Sequence, residues 1–161
     1  MVGMCLTIKL WRKYFLMLYN EEQVHALLPQ KAPFAFVDEI QEITEGDQPS
    51  IVAVWHVTGK EKFFDGHFPN NPVLPGVIQI ESMAQAATLL TMIAKKADVE
   101  GKRPAFMGVE NCRFRAPVIP PQDLTLKATL VMARHGIYKY TGEIWQGETL
   151  ICNASFSAAM V

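Results

Sequence analysis

The chain has 161 residues, half of them hydrophobic, and a formal net charge of −1. That length suits one domain that closes its own core without staples or metals. The near-neutral balance offers no field for a polyanion, which argues against nucleic acid as a partner. Cys5, Cys112 and Cys152, odd in number and far apart, outline neither a disulfide framework nor a zinc site, and read as ordinary thiols in a reducing, cytoplasmic compartment.

Residues 1–19 stand apart. Cys5, Leu6, Ile8 and Leu10 are interrupted by Lys9, Arg12 and Lys13 before Phe15 to Leu18 turn apolar again. Charge in mid-run and the lack of a small-residue cleavage site disfavour an export signal, and the runs are too short to span a bilayer. The segment reads as an N-terminal extension, either extra packing or a leader ahead of a start at Met17. Residues 20–161 read as a single domain.

Asn20 is placed to cap a short helix, with Glu21 and Glu22 in its first turn and Val24, Leu27 and Leu28 on one face, ending before Pro29. Phe34, Phe36, Val37, Ile40 and Ile43 predict a strand, and Ser50 to Val57 alternates with period two, so Gly46-Asp47 between them predicts a hairpin. A punctuated loop follows: Gly66-His67-Phe68-Pro69-Asn70-Asn71-Pro72, then Pro75-Gly76. Such residues impose tight turns, and a side chain on a tight loop can be aimed.

From Gly76 to Ala97 apolar residues recur at three- and four-residue steps, predicting one long helix that is apolar almost all round. Polar interruptions at Gln79, Glu81, Ser82, Gln85, Thr88 and Thr91 mark it as the centre of a soluble fold and not a membrane span. Beyond Gly101, strands are predicted at Ala105–Val109, Cys112–Phe114, Leu124–Met132, Tyr138–Trp145 and Leu150–Ala158. The fold class is therefore α+β, an antiparallel sheet folded over a buried helix.

Three features of the loop and helix carry chemistry. A lone histidine is more often structural than catalytic, and His25, His56 and His135 read as structural or solvent-facing, but His67 lies on the rigid loop. Glu81, flanked by Ile78, Ile80 and Met83, must reach water, find a partner or stay protonated, which is the environment of a general acid. Glu81, Gln85 and Thr88 could equally form an outward stripe at i, i+4, i+7. The backbone amides after Pro75 have no intrahelical acceptor and make an oxyanion site, approached closely at Gly76. A base, an acid and oriented amides suit removal of a proton beside a carbonyl with loss of a β-hydroxyl. The chain has no Gly-x-Ser-x-Gly elbow or phosphate-cradling glycine loop.

The stretch GHFPNNPVLPGVIQIESMAQAA, with LLPQKAPFAFVDEI before it and VENCRFRAPVIPPQDLTL after it, resembles the FabZ-type (3R)-hydroxyacyl-[acyl-carrier-protein] dehydratases from about Glu21 to the C-terminus. The resemblance implies a hot-dog fold, a long helix wrapped by an antiparallel sheet and pairing into a dimer, with His67 of one chain meeting Glu81 of the other. His67 would take the C2 proton and Glu81 would protonate the leaving C3 hydroxyl. The amides of Gly76 and Val77 would hold the thioester carbonyl, without metal or cofactor. Phe64, Phe68, Ile80 and Met83 would line the acyl tunnel. Lys62, Arg113, Arg115 and Lys139 would form a basic rim for acyl carrier protein. Homo-oligomers up to trimers of dimers follow from the same resemblance.

Departures are Gln30-Lys31-Ala32-Pro33, where relatives carry His-Arg-Tyr-Pro, and Asn70-Asn71 in place of Gly-Asp. They leave open the carrier, the chain length, and whether the pathway is bulk fatty-acid synthesis or a specialised lipid or polyene route. Glu81 stands where isomerising FabA-type relatives carry Asp, favouring dehydration without isomerisation. A hot-dog acyl thioesterase and a non-catalytic carrier-binding subunit are the alternatives.

Overall fold

The computed structural model describes residues 17–161. The extension up to residue 16, Cys5 included, lies outside that range. Leu18 and Tyr19 already engage the fold, for Tyr19 bridges Ile40.

Helix α1 spans Glu21–Leu27 behind a reciprocal cap: the Asn20 side chain accepts the Gln23 amide while Gln23 reaches back to the Asn20 amide. Strands β1 (Glu39–Thr44) and β2 (Ser50–Val57) form the predicted hairpin, and a 3₁₀ turn at Lys62–Asp65 leads to the His67 loop. Helix α2 (Gly76–Ala94) and the short α3 (Lys96–Val99) precede β3 (Pro104–Phe114), β4 (Gln122–Arg134), β5 (Ile137–Gln146) and β6 (Thr149–Met160). All six strands join one antiparallel sheet in the order β1-β2-β4-β5-β6-β3.

Period-two burial selects the inner face: Leu124, Leu126, Ala128 and Leu130 on β4, Tyr138, Tyr140, Gly142 and Ile144 on β5, and Ala154, Phe156, Ala158 and Met160 on β6. Helix α2 lies across this face. Gly142 permits the close approach, since a Cβ there would sit 2.9 Å from Phe156 and 3.0 Å from the Met83 sulfur. One polar tie joins the layers: the Tyr140 hydroxyl and Thr91 Oγ1 are 2.6 Å apart, and burial pushes the tyrosine up to about 12.

Three sequence expectations need correction. Phe34–Val37 is not paired as a strand; β1 begins at Glu39. The two short strands predicted at 105–109 and 112–114 are one, kept continuous by bulges between Phe106 and Gly108 and between Glu110 and Arg113. The outward polar stripe on α2 does not exist, because Gln85 and Thr88 are buried. Thr88 and Thr91 return their hydroxyls to the carbonyls of Ala84 and Ala87, and Ser82 bonds the Gln79 carbonyl, so polar side chains sit in the core without unmet donors.

Candidate active site

The His67 loop is built from backbone closures. The His67 amide donates to the Phe63 carbonyl at 3.0 Å, and the Val73 amide returns to the His67 carbonyl at 3.0 Å. Phe68 and Asn71 exchange amide bonds at 3.1 and 2.9 Å, and Asn70 between them adopts φ 59°, which asparagine tolerates. The Leu74 amide then ties the loop to the Val118 carbonyl. The His67–Phe68 peptide is cis, as are those before Pro33 and Pro121.

That scaffold sets the histidine's chemistry. His67 Nδ1 lies 2.7 Å from the Val73 carbonyl, an acceptor only, so Nδ1 carries the proton and Nε2 has a free lone pair. The Phe68 ring stacks on the imidazole with centroids 4.1 Å apart. A backbone carbonyl fixes the tautomer here, and no acid pairs with His67 among the described residues.

His67 lines a cleft of about 690 Å³ with Leu74, Gly76, Val77, Gln79 and Ile80 on one side and Phe114, Arg115 and Pro117 on the other. Among the described residues, the amides of Gly76 and Val77 meet no acceptor, and Pro75 supplies no side-chain cap. Gly76 lets the Phe114 ring pack against the helix start, as a Cβ there would come within 2.8 Å of the ring and push it aside. Val77, which also lines the cleft, is 72% exposed.

Glu81 is not on that wall. Five residues beyond Gly76, it is turned about 140° round the helix. It is half-buried, and burial is the main cause raising its pKa above the usual carboxylate range, opposed by a 3.0 Å bond from Gln85 Nε2 to its Oε1. Gln85, fully buried, is the residue that sequence reasoning missed. Its Oε1 accepts the Phe36 amide at 2.7 Å and its Nε2 also donates to the Phe34 carbonyl at 3.1 Å. The spacing of Glu81 and Gln85 was the available signal.

The remaining candidates disperse. Ile80 lines the cleft; Phe68 is 49% exposed beside His67; Phe64 and Met83 lie in the core and are not on the cleft wall. Arg115 lines the cleft, its Nε bonded to Asn153 Oδ1 at 2.9 Å, with Arg113 exposed two residues before it and Lys62 exposed on the 3₁₀ turn. Lys139 on β5 is opposite Ser157, four residues along β6 from the row that pairs Arg113 of β3 with Asn153, hence about 13 Å along the strands and about 10 Å across them from Arg113.

Glu21, His25 and Asp38 bring three potential metal ligands within 4.8 Å of one another. Hydrogen bonding accounts for two of them, as His25 Nε2 donates to the Val37 carbonyl and Asp38 Oδ1 and Asp38 Oδ2 accepts the His56 amide, while exposed Glu21 stands 4.0 Å from His25 Nδ1.

An antiparallel sheet wrapped round one long central helix defines the hot-dog class. Solved structures share it: the dehydratase heterocomplex ApeI:P from Xenorhabdus doucetiae superposes with a TM-score of 0.69 at 18% identity, covering 86% of this chain and 90% of that one. A mutant thioesterase, PA1618 from Pseudomonas aeruginosa, does so at 0.64 and 13%, over 91% and 98%. The FabA-like domain family model matches residues 28–155. The FabZ 3-hydroxyacyl-[acyl-carrier-protein] dehydratase of Alkaliphilus metalliredigens is 37% identical over 88% of this chain and 94% of its own. That of Thiobacillus denitrificans is 41% identical over 86% and 95%. The chain belongs to the FabA-like family and is of its FabZ type.

Proposed function

We propose that this chain eliminates water from (3R)-3-hydroxyacyl thioesters on acyl carrier protein, giving the trans-2-enoyl thioester. The observation that carries the reading is His67, its Nδ1 proton held on Val73 and its Nε2 free, on one cleft with the unpaired amides of Gly76 and Val77. The thioester carbonyl accepts those amides, which makes the C2 proton acidic and holds the enolate charge. Nε2 takes the C2 proton, the electron pair closes the C2–C3 double bond, and the C3–O bond breaks. Glu81 gives that oxygen its proton, and burial favours the protonated form needed. Every role is filled by protein groups, so the reading calls for neither metal nor cofactor.

Because Glu81 faces away from the cleft of its own chain, the acid comes from a second copy. The outer edge of β3, with Phe106, Met107, Val109 and Phe114 exposed, supports such pairing, since among the described residues its backbone pairs with no strand and lies beside apolar side chains. Arg113, Arg115 and Lys62 form the basic rim for the acidic carrier, in a cytoplasmic setting.

Absorbance of the enoyl thioester formed from a 3-hydroxyacyl carrier, followed beside free-thiol release, tests the reading. Enoyl formation without thiol is expected; thiol alone identifies a thioesterase. His67→Ala should lower kcat about 10²- to 10⁴-fold while the protein stays folded by circular dichroism. Undiminished activity in that variant would remove His67 from the chemistry, and a wild type that forms neither enoyl nor thiol would point to a carrier-binding subunit.

A further inference from the structure

Gln79 lies one helical turn beyond Gly76 on the same cleft wall and is only 4% exposed. Its Nε2 makes a long 3.3 Å bond to the Leu74 carbonyl, and its Oε1 is buried with no hydrogen-bond donor. Reversing the amide does not help. It would set an oxygen against the Leu74 carbonyl oxygen and leave the amine without an acceptor. The polar residues Ser82, Gln85, Thr88 and Thr91 of the same helix are all satisfied; among the described residues Gln30 Oε1 is the other buried acceptor without a donor, and Gln79 is the one of the two on the His67 cleft.

We propose that Gln79 recognises the substrate's 3-hydroxyl: its Oε1 accepts the hydroxyl hydrogen of the bound 3-hydroxyacyl thioester. The inference rests on the dehydratase reading above. Oε1 is buried, but the torsion that turns a glutamine amide is soft and the hydrogen bond that holds this one is long, so in the proposed complex the amide rotates on binding to present Oε1 to the cleft that Gln79 lines. The 3-hydroxyl is the donor a 3-hydroxyacyl chain has and its enoyl product lacks. Holding the hydroxyl hydrogen on Gln79 also turns the oxygen's lone pairs toward the acid that must protonate it. A fixed position for that hydrogen distinguishes the two configurations at C3.

Gln79→Met, close in size and without the acceptor, tests this in the full-length protein with 3-hydroxyacyl and trans-2-enoyl thioesters of one carrier. The KM for the (3R)-hydroxyacyl thioester should rise about tenfold, the loss of one neutral hydrogen bond, while the KM for the enoyl thioester in the reverse hydration stays within about twofold. The overall equilibrium is fixed, so the matching loss in hydration falls on kcat. Discrimination against the (3S) substrate should shrink, and the melting temperature should hold or rise because an orphaned acceptor is gone. If both KM values move together, or neither moves, the assignment is overturned. Gln79→Ala is the second variant; if neither folds, Gln79 is architectural and the proposal fails. Wild-type protein that forms no enoyl product refutes the dehydratase reading itself, whereas an active wild type insensitive to Gln79 refutes only this step.

Discussion

Gln85 uses its acceptor and both amide hydrogens on named partners, and this makes its orientation unambiguous. The Phe36 amide can only donate, so Oε1 must face it, and the two hydrogens must face the Phe34 carbonyl and Glu81 Oε1. Glu81 is thereby clamped through one oxygen, which in the proposed reaction leaves Oε2 to carry the proton. Replacing Gln85 with leucine removes the contact that lowers the Glu81 pKa and keeps the burial that raises it. The carboxyl pKa then rises further. Since the acid works when protonated, the alkaline limb of kcat against pH should move to higher pH, and misaiming should lower kcat about ten- to a hundredfold with KM little changed. An unmoved limb with intact kcat would leave Gln85 no part in aiming the acid.

The layers formed by α2 and the sheet are close enough that single atoms decide their fit. Gly142→Ala inserts a methyl between Met83 and Phe156, both buried, so overpacking of about 1–3 kcal/mol is expected, read as a lowered melting temperature with circular dichroism unchanged. A second inter-element tie is pH-dependent. His56 on β2 bonds Asp123 of β4 through Nδ1 at 2.6 Å and Glu39 of β1 through Nε2 at 3.0 Å, while its amide bonds Asp38; Lys60 lines the adjoining hollow. Burial, the largest influence, lowers the imidazole pKa, yet the two carboxylates together outweigh it and the net shift is upward. A raised folded pKa stabilises fully below the ordinary value of 6.5 and loses that contribution as pH climbs through the folded value. Thermal melts should therefore decline above pH 6.5, and His56→Gln should flatten the decline. The hairpin holding this clasp was legible because β1, β2 and Gly46 are contiguous, and so were the helix start and the His67 loop, punctuated by proline and asparagine. The Phe34–Val37 segment was not. Its alternation is that of a strand, but the Phe36 amide and Phe34 carbonyl are bound by a side chain 49 and 51 residues away, which no local pattern announces. Ser82, Thr88 and Thr91 on α2 misled for the opposite reason, since their partners are carbonyls of the helix's own backbone three or four residues back and no outside partner or water is needed.

At the scale of the molecule, the two edges of the sheet are unequal. Tyr19 bridges β1, whereas among the described residues the outer edge of the eleven-residue β3 pairs with no strand and exposes Phe106, Met107, Val109 and Phe114. The proposed pairing of that edge with its own copy about a two-fold axis would extend the sheet, cover Phe106, Met107 and Val109, and bring a second α2 toward the cleft walled by Phe114 and Arg115. Such an assembly has two sites, each taking His67 from one chain and Glu81 from the other. A chain with His67→Ala still offers its acid, and a chain with Glu81→Gln still offers its base, so a mixed dimer has one complete site and one doubly deficient site. Co-expressed in equal amounts and pairing at random, half of the dimers are mixed, so activity should recover to about one quarter of wild type, although each variant alone is nearly inactive. Were base and acid supplied by the same chain, every site in the mixture would lack one group. Activity would then stay at the level of the single variants, which separates the two arrangements without reference to how large the assembly grows.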